Sequence, residues 1–301
     1  MDTRSFMRFI MLAALWGGSF LFMRIAAPAL GAVPTAFLRV LLGAMGLVMI
    51  LSLAKVRFSF RSLFIYTLIL GVINSGIPFL MFSLAAQRLP AGYSSILNAT
   101  TPLMGVVVGS TFFGELMSFR KVVGILVGFL GVVILTQAEL SYDSVGLLGV
   151  IYCLIATTCY AFAGFLTRRW IAEHGGLDSR LIALGSQLGA VIFLAPFAMY
   201  EASHTPVTFW LQQNHSVWLS VVALGLLCTS FAYILYFRLI ADVGSLKALM
   251  VTFLIPVFGV FWGWLILDES ISKTHFLGGG LIALALWLTM YSTKRFSFKD
   301  K

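Results

Sequence analysis

The sequence predicts an all-α integral membrane protein in which ten transmembrane helices form two inverted five-helix repeats. Three observations lead there. Of 301 residues, 60% are hydrophobic and only 10% charged, whereas soluble domains carry roughly 45–50% apolar and about 25% charged residues. Ten windows reach the ~20 apolar residues that cross a bilayer core. The chain also aligns with itself after a shift of 154 residues.

The windows run 6–27, 34–54, 62–86, 91–113, 119–137, 145–167, 180–200, 216–238, 245–267 and 274–293. The stretch from Glu201 to His215 is the longest connection, room for a turn or a surface helix. Arg4 and Arg8 precede the first window, and Ala27-Pro28-Ala29 loosely imitates a signal-peptide cleavage site. Pro28 argues against cleavage, as does the repeat, which would lose a span.

With the N-terminus in the cytoplasm, Arg88 and Lys273 alone fall outside, and Arg24 and Arg39 lie within or near spans. The remainder of the twenty Lys and Arg residues fall inside. That bias predicts an inner (cytoplasmic) membrane protein with both termini cytoplasmic. The net charge of +9 is dispersed over short loops rather than gathered on one face, so it points to the bilayer and not to nucleic acid.

The 154-residue shift places Gly71 on Gly225, Pro102 on Pro256, Gly105 on Gly259, Gly109 on Gly263 and Glu115 on Glu269. These residues bend, pack or end helices, so shared apolar composition does not explain their register. Five spans per half is an odd number, which inverts the second half and puts a substrate site near the midplane. The boundaries predicted are 1–140 and 141–301.

Four passages resemble the drug/metabolite transporter superfamily, in its EamA-type ten-span branch. They are Leu15-Trp16-Gly17-Gly18-Ser19-Phe20 with Arg24; Ala36-Phe37-Leu38-Arg39; Ala91-Gly92 through Asn98, Pro102 and Gly114-Glu115; and Gly244-Ser245 through Pro256 and Asp268-Glu269. The resemblance covers nearly the whole chain and implies a secondary transporter. It implies export or exchange of amino acids, aromatic ones included, or of other zwitterionic or anionic metabolites. Import of a larger compound, such as a nucleoside-like metabolite, is the alternative. Four-span relatives carry a Glu in their first helix; this chain has no acid there.

All eleven acids and four His residues sit in predicted loops or at span ends. A charge kept in a span costs about 2.5–3.5 kcal/mol on insertion scales, so an acid there would mark a proton relay. Facilitated diffusion or exchange is therefore favoured over proton coupling. An intramembrane enzyme would need acids, bases or metal ligands at depth, and a membrane scaffold protein would be expected to carry a soluble domain. No cofactor or metal is expected. Cys153, Cys159 and Cys228 lie in apolar runs without metal or redox spacing and read as packing residues.

Arg24 and Arg39 interrupt the clean interior. Each is either a snorkelling side chain or a positive lining for a carboxylate. The substrate-binding candidates are Trp16, Ser19, Arg39, Asn74, Ser75, Phe82, Asn98, Tyr160, Thr229, Tyr233, Tyr236 and Thr252. Polar members recur in register: Ser75 meets Thr229, Phe82 meets Tyr236 and Asn98 meets Thr252. Such residues pack helices through contacts worth about 0.6 kcal/mol, or together line an apolar pocket with a few polar groups. Pro78, Pro102 and Pro256 are expected hinges, because proline frees a carbonyl and a broken helix lines a cavity. Gly105/Gly109, Gly124/Gly128 and Gly259/Gly263 have small-xxx-small spacing, read as packing within a monomer, with a dimer the alternative. Glu115 and Glu269 are expected to end helices and pair near Arg120 or Lys273.

Overall fold

The computed structural model describes residues 2–140, 144–244, 248 and 250–290. Asp143, Ser245, Lys247, Lys294, Arg295, Lys299, Asp300 and Lys301, which belong to the charge and motif pattern above, lie outside these.

Among the described residues every regular element is helical. The long helices are α1 (Thr3–Leu30), α2 (Ala32–Leu53), α3 (Phe64–Ala86), α4 (Ala91–Phe112) and α5 (Phe119–Leu140). They continue as α6 (Ser144–Trp170), α7 (Ser179–His204), α8 (His215–Val243), α9 (Met250–Leu267) and α10 (Lys273–Met290). Among the described residues eight of these helices, α1–α4 and α6–α9, are long and apolar enough to cross a membrane; α5 and α10 pack along each other. A short helix, Val207–Leu211, occupies the longest connection.

Turns are tight because their residues permit it. The α1–α2 corner is a single residue, Gly31, at φ +95°. Its amide bonds back to Ala27 O at 3.0 Å and its carbonyl accepts Thr35 N at 3.3 Å. That angle favours glycine, and the Glu201 carboxylate packs close to the bare Cα. Ala27-Pro28-Ala29 lies inside the last turns of α1.

Irregularities fall at positions 154 residues apart. A π turn, Val72–Gly76, interrupts α3, and a longer one, Ala223–Phe231, interrupts α8. Helix α4 breaks after Asn98 and resumes at Thr101; α9 opens as a 3-10 turn, Met250–Phe253, and continues from Ile255. Beyond these helices, Gly114 and Asp268 both adopt left-handed φ, +70° and +53°. The next amides close identical bonds, Glu115 N to Gly109 O at 3.0 Å and Glu269 N to Gly263 O at 3.2 Å.

Each expected hinge proline stands in the first turn of a helical segment after a break, Pro78 behind the π turn, Pro102 and Pro256 behind the gaps. Pro102 and Pro256 fit because an amide at a helix start has no helical partner to lose; Pro78, inside the continuous α3, forfeits a ladder bond directly after the widened turn.

The largest apolar cluster draws Met23 from α1, Phe82 from α3, Ile96 from α4, Cys153 from α6, Ile255 from α9 and Ile282 from α10. A second joins Leu47 and Leu51 of α2 to Leu181 and Leu184 of α7. Helices α3 and α7 touch backbone to backbone, since a side chain on Gly71 would collide with Ser186 O and one on Gly189 with Leu68 O. Large apolar side chains such as Met49, Ile65, Phe276 and Trp287 point outward, the surface a lipid solvent calls for. The cysteines are free; Cys153 and Cys228 are buried in the packing and Cys159 half-buried.

Candidate functional site

Arg39 sits in the second turn of α2, yet its side chain does not snorkel. It is 5% exposed, and among the described residues no carboxylate pairs with it. The guanidinium carbon lies 3.7 Å from the centroid of the Phe79 ring. Nε donates to Thr229 Oγ1 at 3.3 Å and Nη1 to Met23 Sδ at 3.4 Å. A desolvated cation–π contact is worth about 2 kcal/mol or more, against an insertion cost of about 2.5–3.5 kcal/mol. These partners hold the cation at depth without neutralising it.

The α8 π turn touches this charge through Thr229, and the α3 π turn joins it through Ser75 and Gln187. A π turn leaves carbonyls that the regular ladder would have satisfied, and hydroxyls in the wide turn take them up. Thr229 Oγ1 donates to Leu224 O at 2.8 Å, and Ser230 Oγ bonds Gly225 O and Gly43 O, each at 3.0 Å. In the α3 turn, Ser75 Oγ lies 3.2 Å from Ser186 Oγ and accepts from Gln187 Nε2 at 3.0 Å. Arg39, Thr229, Gln187 and Ser75 thus meet in one neighbourhood, although they come from four helices; Asn74 precedes Ser75 in its π turn and Tyr233 stands one turn beyond Thr229.

Aromatic walls adjoin it. Tyr160 stacks on Phe82 at 6.2 Å, and Phe82 meets Phe20 edge-on at 5.3 Å. Trp16 packs against Tyr236 at 5.3 Å. Ser19 spends its hydroxyl on Trp16 O at 2.7 Å. Asn98 and Thr252 stand at the breaks of α4 and α9.

Four residues escaped the sequence reading: Met23, Phe79, Ser186 and Gln187. Gln187 was findable as an amide in the apolar run of the seventh window. The shift of 154 places it on Val33, so the search for matched polar pairs passed over it.

Openings flank the cluster along α2 and α7. Beyond the Leu47, Leu51, Leu181 and Leu184 plug lies a cleft of about 710 Å³ lined by Lys55, Arg57, Asp178 and Arg180. The hydrogen bond from Arg180 holds the Asp178 carboxyl below its usual pKa, so Lys55 and Arg57 remain the uncompensated charges there. Towards the other ends of α2 and α7 a smaller apolar cavity, about 300 Å³, is lined by Pro34, Phe37, Ala198 and Trp218.

Other expectations land differently. Arg24 donates to Ala86 O at 2.7 Å, a cation at the end of α3 where the helix dipole favours it. Glu269 does not pair with Lys273. Its two oxygens accept the Ala91 and Gly92 amides at 2.7 and 3.2 Å, capping α4. Glu115 lies 3.8 Å from Lys121 rather than pairing with Arg120. His275 is buried in the first turn of α10, not in a loop; its ring lies 4.2 Å from that of Tyr93, and Nδ1 accepts from Ser272 N at 3.1 Å.

The sequence pattern of the EamA-like transporter family matches residues 5–137 and again 147–291. The chain is 26% identical over 293 residues to "Uncharacterized transporter YoaV" of Bacillus subtilis (strain 168), covering 95% of this chain and 96% of that protein. It is 22% identical over 207 residues to a "Probable amino-acid metabolite efflux pump" of Escherichia coli (strain K12), covering 68% of this chain and 69% of the other. One solved crystal structure shares the fold at TM-score 0.65 and 17% identity, covering 96% of this chain and 97% of its own.

Proposed function

We propose a function from one established premise: the chain belongs to the EamA-like transporter family. It is a multi-pass membrane transporter of small metabolites. Within that class we read it as a carrier of carboxylate-bearing compounds, amino acids and their metabolites first among them, exported or exchanged across the cytoplasmic membrane by alternating access.

The observation that carries this reading is Arg39, a buried guanidinium with no carboxylate partner among the described residues, held by Thr229 of the α8 π turn. A donor-only cation in a low-dielectric site favours an anionic group and disfavours cations. Tyr160, Phe82, Trp16 and Tyr236 supply apolar wall for a side chain. The relative named as an amino-acid metabolite efflux pump supports the same substrate class.

Under the orientation set by the charge bias, the cleft of Lys55 and Arg57 opens to the cytoplasm. Its field raises the local concentration of anions. The two halves then act as inverted partners about a midplane site, with matched irregular turns beside it. With no acid beside Arg39 among the described residues, exchange or facilitated diffusion is the proposed energetics.

The test is counterflow in liposomes holding purified protein. A preloaded amino acid should accelerate entry of labelled amino acid, and a pH gradient alone should drive no accumulation. Absence of counterflow for every carboxylate tried would reject the substrate class; uphill movement driven by the gradient would reject the energetics.

A further inference from the structure

We infer that Gln187 is a substrate ligand, the acceptor that reads an N–H donor beside the substrate's carboxylate, so that the site selects zwitterions over plain carboxylate anions. This rests on the carboxylate-carrier reading above.

Three observations carry it. Gln187 is fully buried, and its Oε1 is a side-chain acceptor without a partner, although Nε2 is fixed by its bond to Ser75 Oγ at 3.0 Å. Native structures leave few such atoms, and each calls for an explanation. The orphan also faces the right place. A Cβ built on Gly43 would meet Thr229 Cγ2 at 2.7 Å and Gln187 Oε1 at 3.4 Å. The acceptor therefore lies in the same close-packed corner as the threonine that holds Arg39 Nε, where α2 contributes a glycine and no side chain. Finally, the chemistry is complementary. Arg39 offers only donors and suits a carboxylate, whereas the amide oxygen offers only lone pairs and suits an ammonium or amide N–H.

The choice of glutamine fits the same account. A carboxylate at this position would bind an ammonium more strongly, but it would also pair with Arg39 and cancel the anion site. A neutral acceptor leaves the guanidinium free and is cheaper to bury.

The test pairs amino acids with their deaminated counterparts, L-phenylalanine with 3-phenylpropanoate being one pair, in liposome counterflow. Wild type should favour the amino-bearing member by about tenfold or more in kcat/KM, because the analogue leaves Oε1 unpaired. Gln187→Met should raise KM for the amino acid about tenfold more than for the deaminated member, a loss of discrimination that misfolding, which lowers both alike, does not produce. Gln187→Glu should depress both, through its ion pair with Arg39. Equal transport of both members by wild type overturns the inference and leaves the carboxylate-carrier reading standing. So does equal loss of both members in a Gln187→Met protein that melts like wild type. Failure of wild type to carry either member of any pair overturns the parent reading and this inference together.

Discussion

The Glu269 carboxylate accepts the Ala91 amide at 2.7 Å, tying the loop after α9 to the first turn of α4. With the Gly92 bond, one side chain satisfies two of the orphan amides at that helix start. Nearby, Tyr93 Oη lies 2.9 Å from Thr274 Oγ1, so the contact extends to α10. The chain positions that meet here are 178 residues apart.

Removing this cap should loosen that end of the molecule. Glu269→Ala forfeits a charge-assisted bond worth about 1.5–3 kcal/mol, so the local opening equilibrium should rise roughly tenfold or more. Cys153, fully buried in the cluster that includes Ala91 and Tyr93, is the reporter. In a background lacking Cys159 and Cys228, its alkylation should accelerate in Glu269→Ala and stay near wild type in Glu269→Gln, which keeps one acceptor.

Arg39→Lys should not preserve transport. A lysine keeps the charge but loses the planar fork that lies over Phe79 while donating to Thr229 and Met23. Counterflow should show kcat/KM for carboxylate substrates falling about tenfold, the effect of losing about 1.4 kcal/mol. Wild-type activity in the lysine variant would show that geometry at this guanidinium is immaterial.

Two glycines provide a matched contrast. Gly43→Ala drives a methyl to 2.7 Å from Thr229 Cγ2, and such overpacking costs typically about 1–3 kcal/mol. Its melting temperature in detergent should fall by several degrees and counterflow with it. Gly105→Ala meets nothing within 4 Å and gains helix propensity, so it should melt at or slightly above wild type.

Topology is open to direct measurement. Reporters inserted after Ala54 should read as cytoplasmic, and one inserted between Gln212 and Gln213 as external, as the charge bias requires. The opposite result at either place would reverse the assignment of the Lys55 and Arg57 cleft to the inner face.

Much of this architecture was legible in the residues because membrane insertion is governed by one-dimensional rules. Span length and the punctuation of Pro102, Pro256, Gly71 and Gly225 act locally, and the breaks of α4 and α9 fall where the prolines stand. Arg39, Ser75 and Thr229 were recognisable as polar intrusions into apolar runs. What stayed hidden was partnership. Nothing near Glu269 in sequence indicates that its partner is the Ala91 amide rather than Lys273. His275 seemed a loop residue because polarity, not the aromatic face of Tyr93, is what a linear pattern registers. Gln187 was missed because its site is asymmetric: the acceptor comes from α7 alone, and a search for pairs finds only what both halves share.

The π turns carry a consequence for how this gene can change. Such a turn holds one residue more than the α-helical ladder needs, so it behaves as a retained insertion, kept at matching places in α3 and α8. Each residue of helix rotates its successor by about 100°. Deleting one codon within Val72–Gly76 would therefore return that turn to the regular ladder and leave Phe79 and Phe82 close to their present phase on α3, at the cost of the wide turn that carries Ser75. Deleting Ile77 instead, just beyond the turn, would swing both rings around the axis and away from Arg39 and Tyr160, so two adjacent frame-preserving deletions should have opposite consequences.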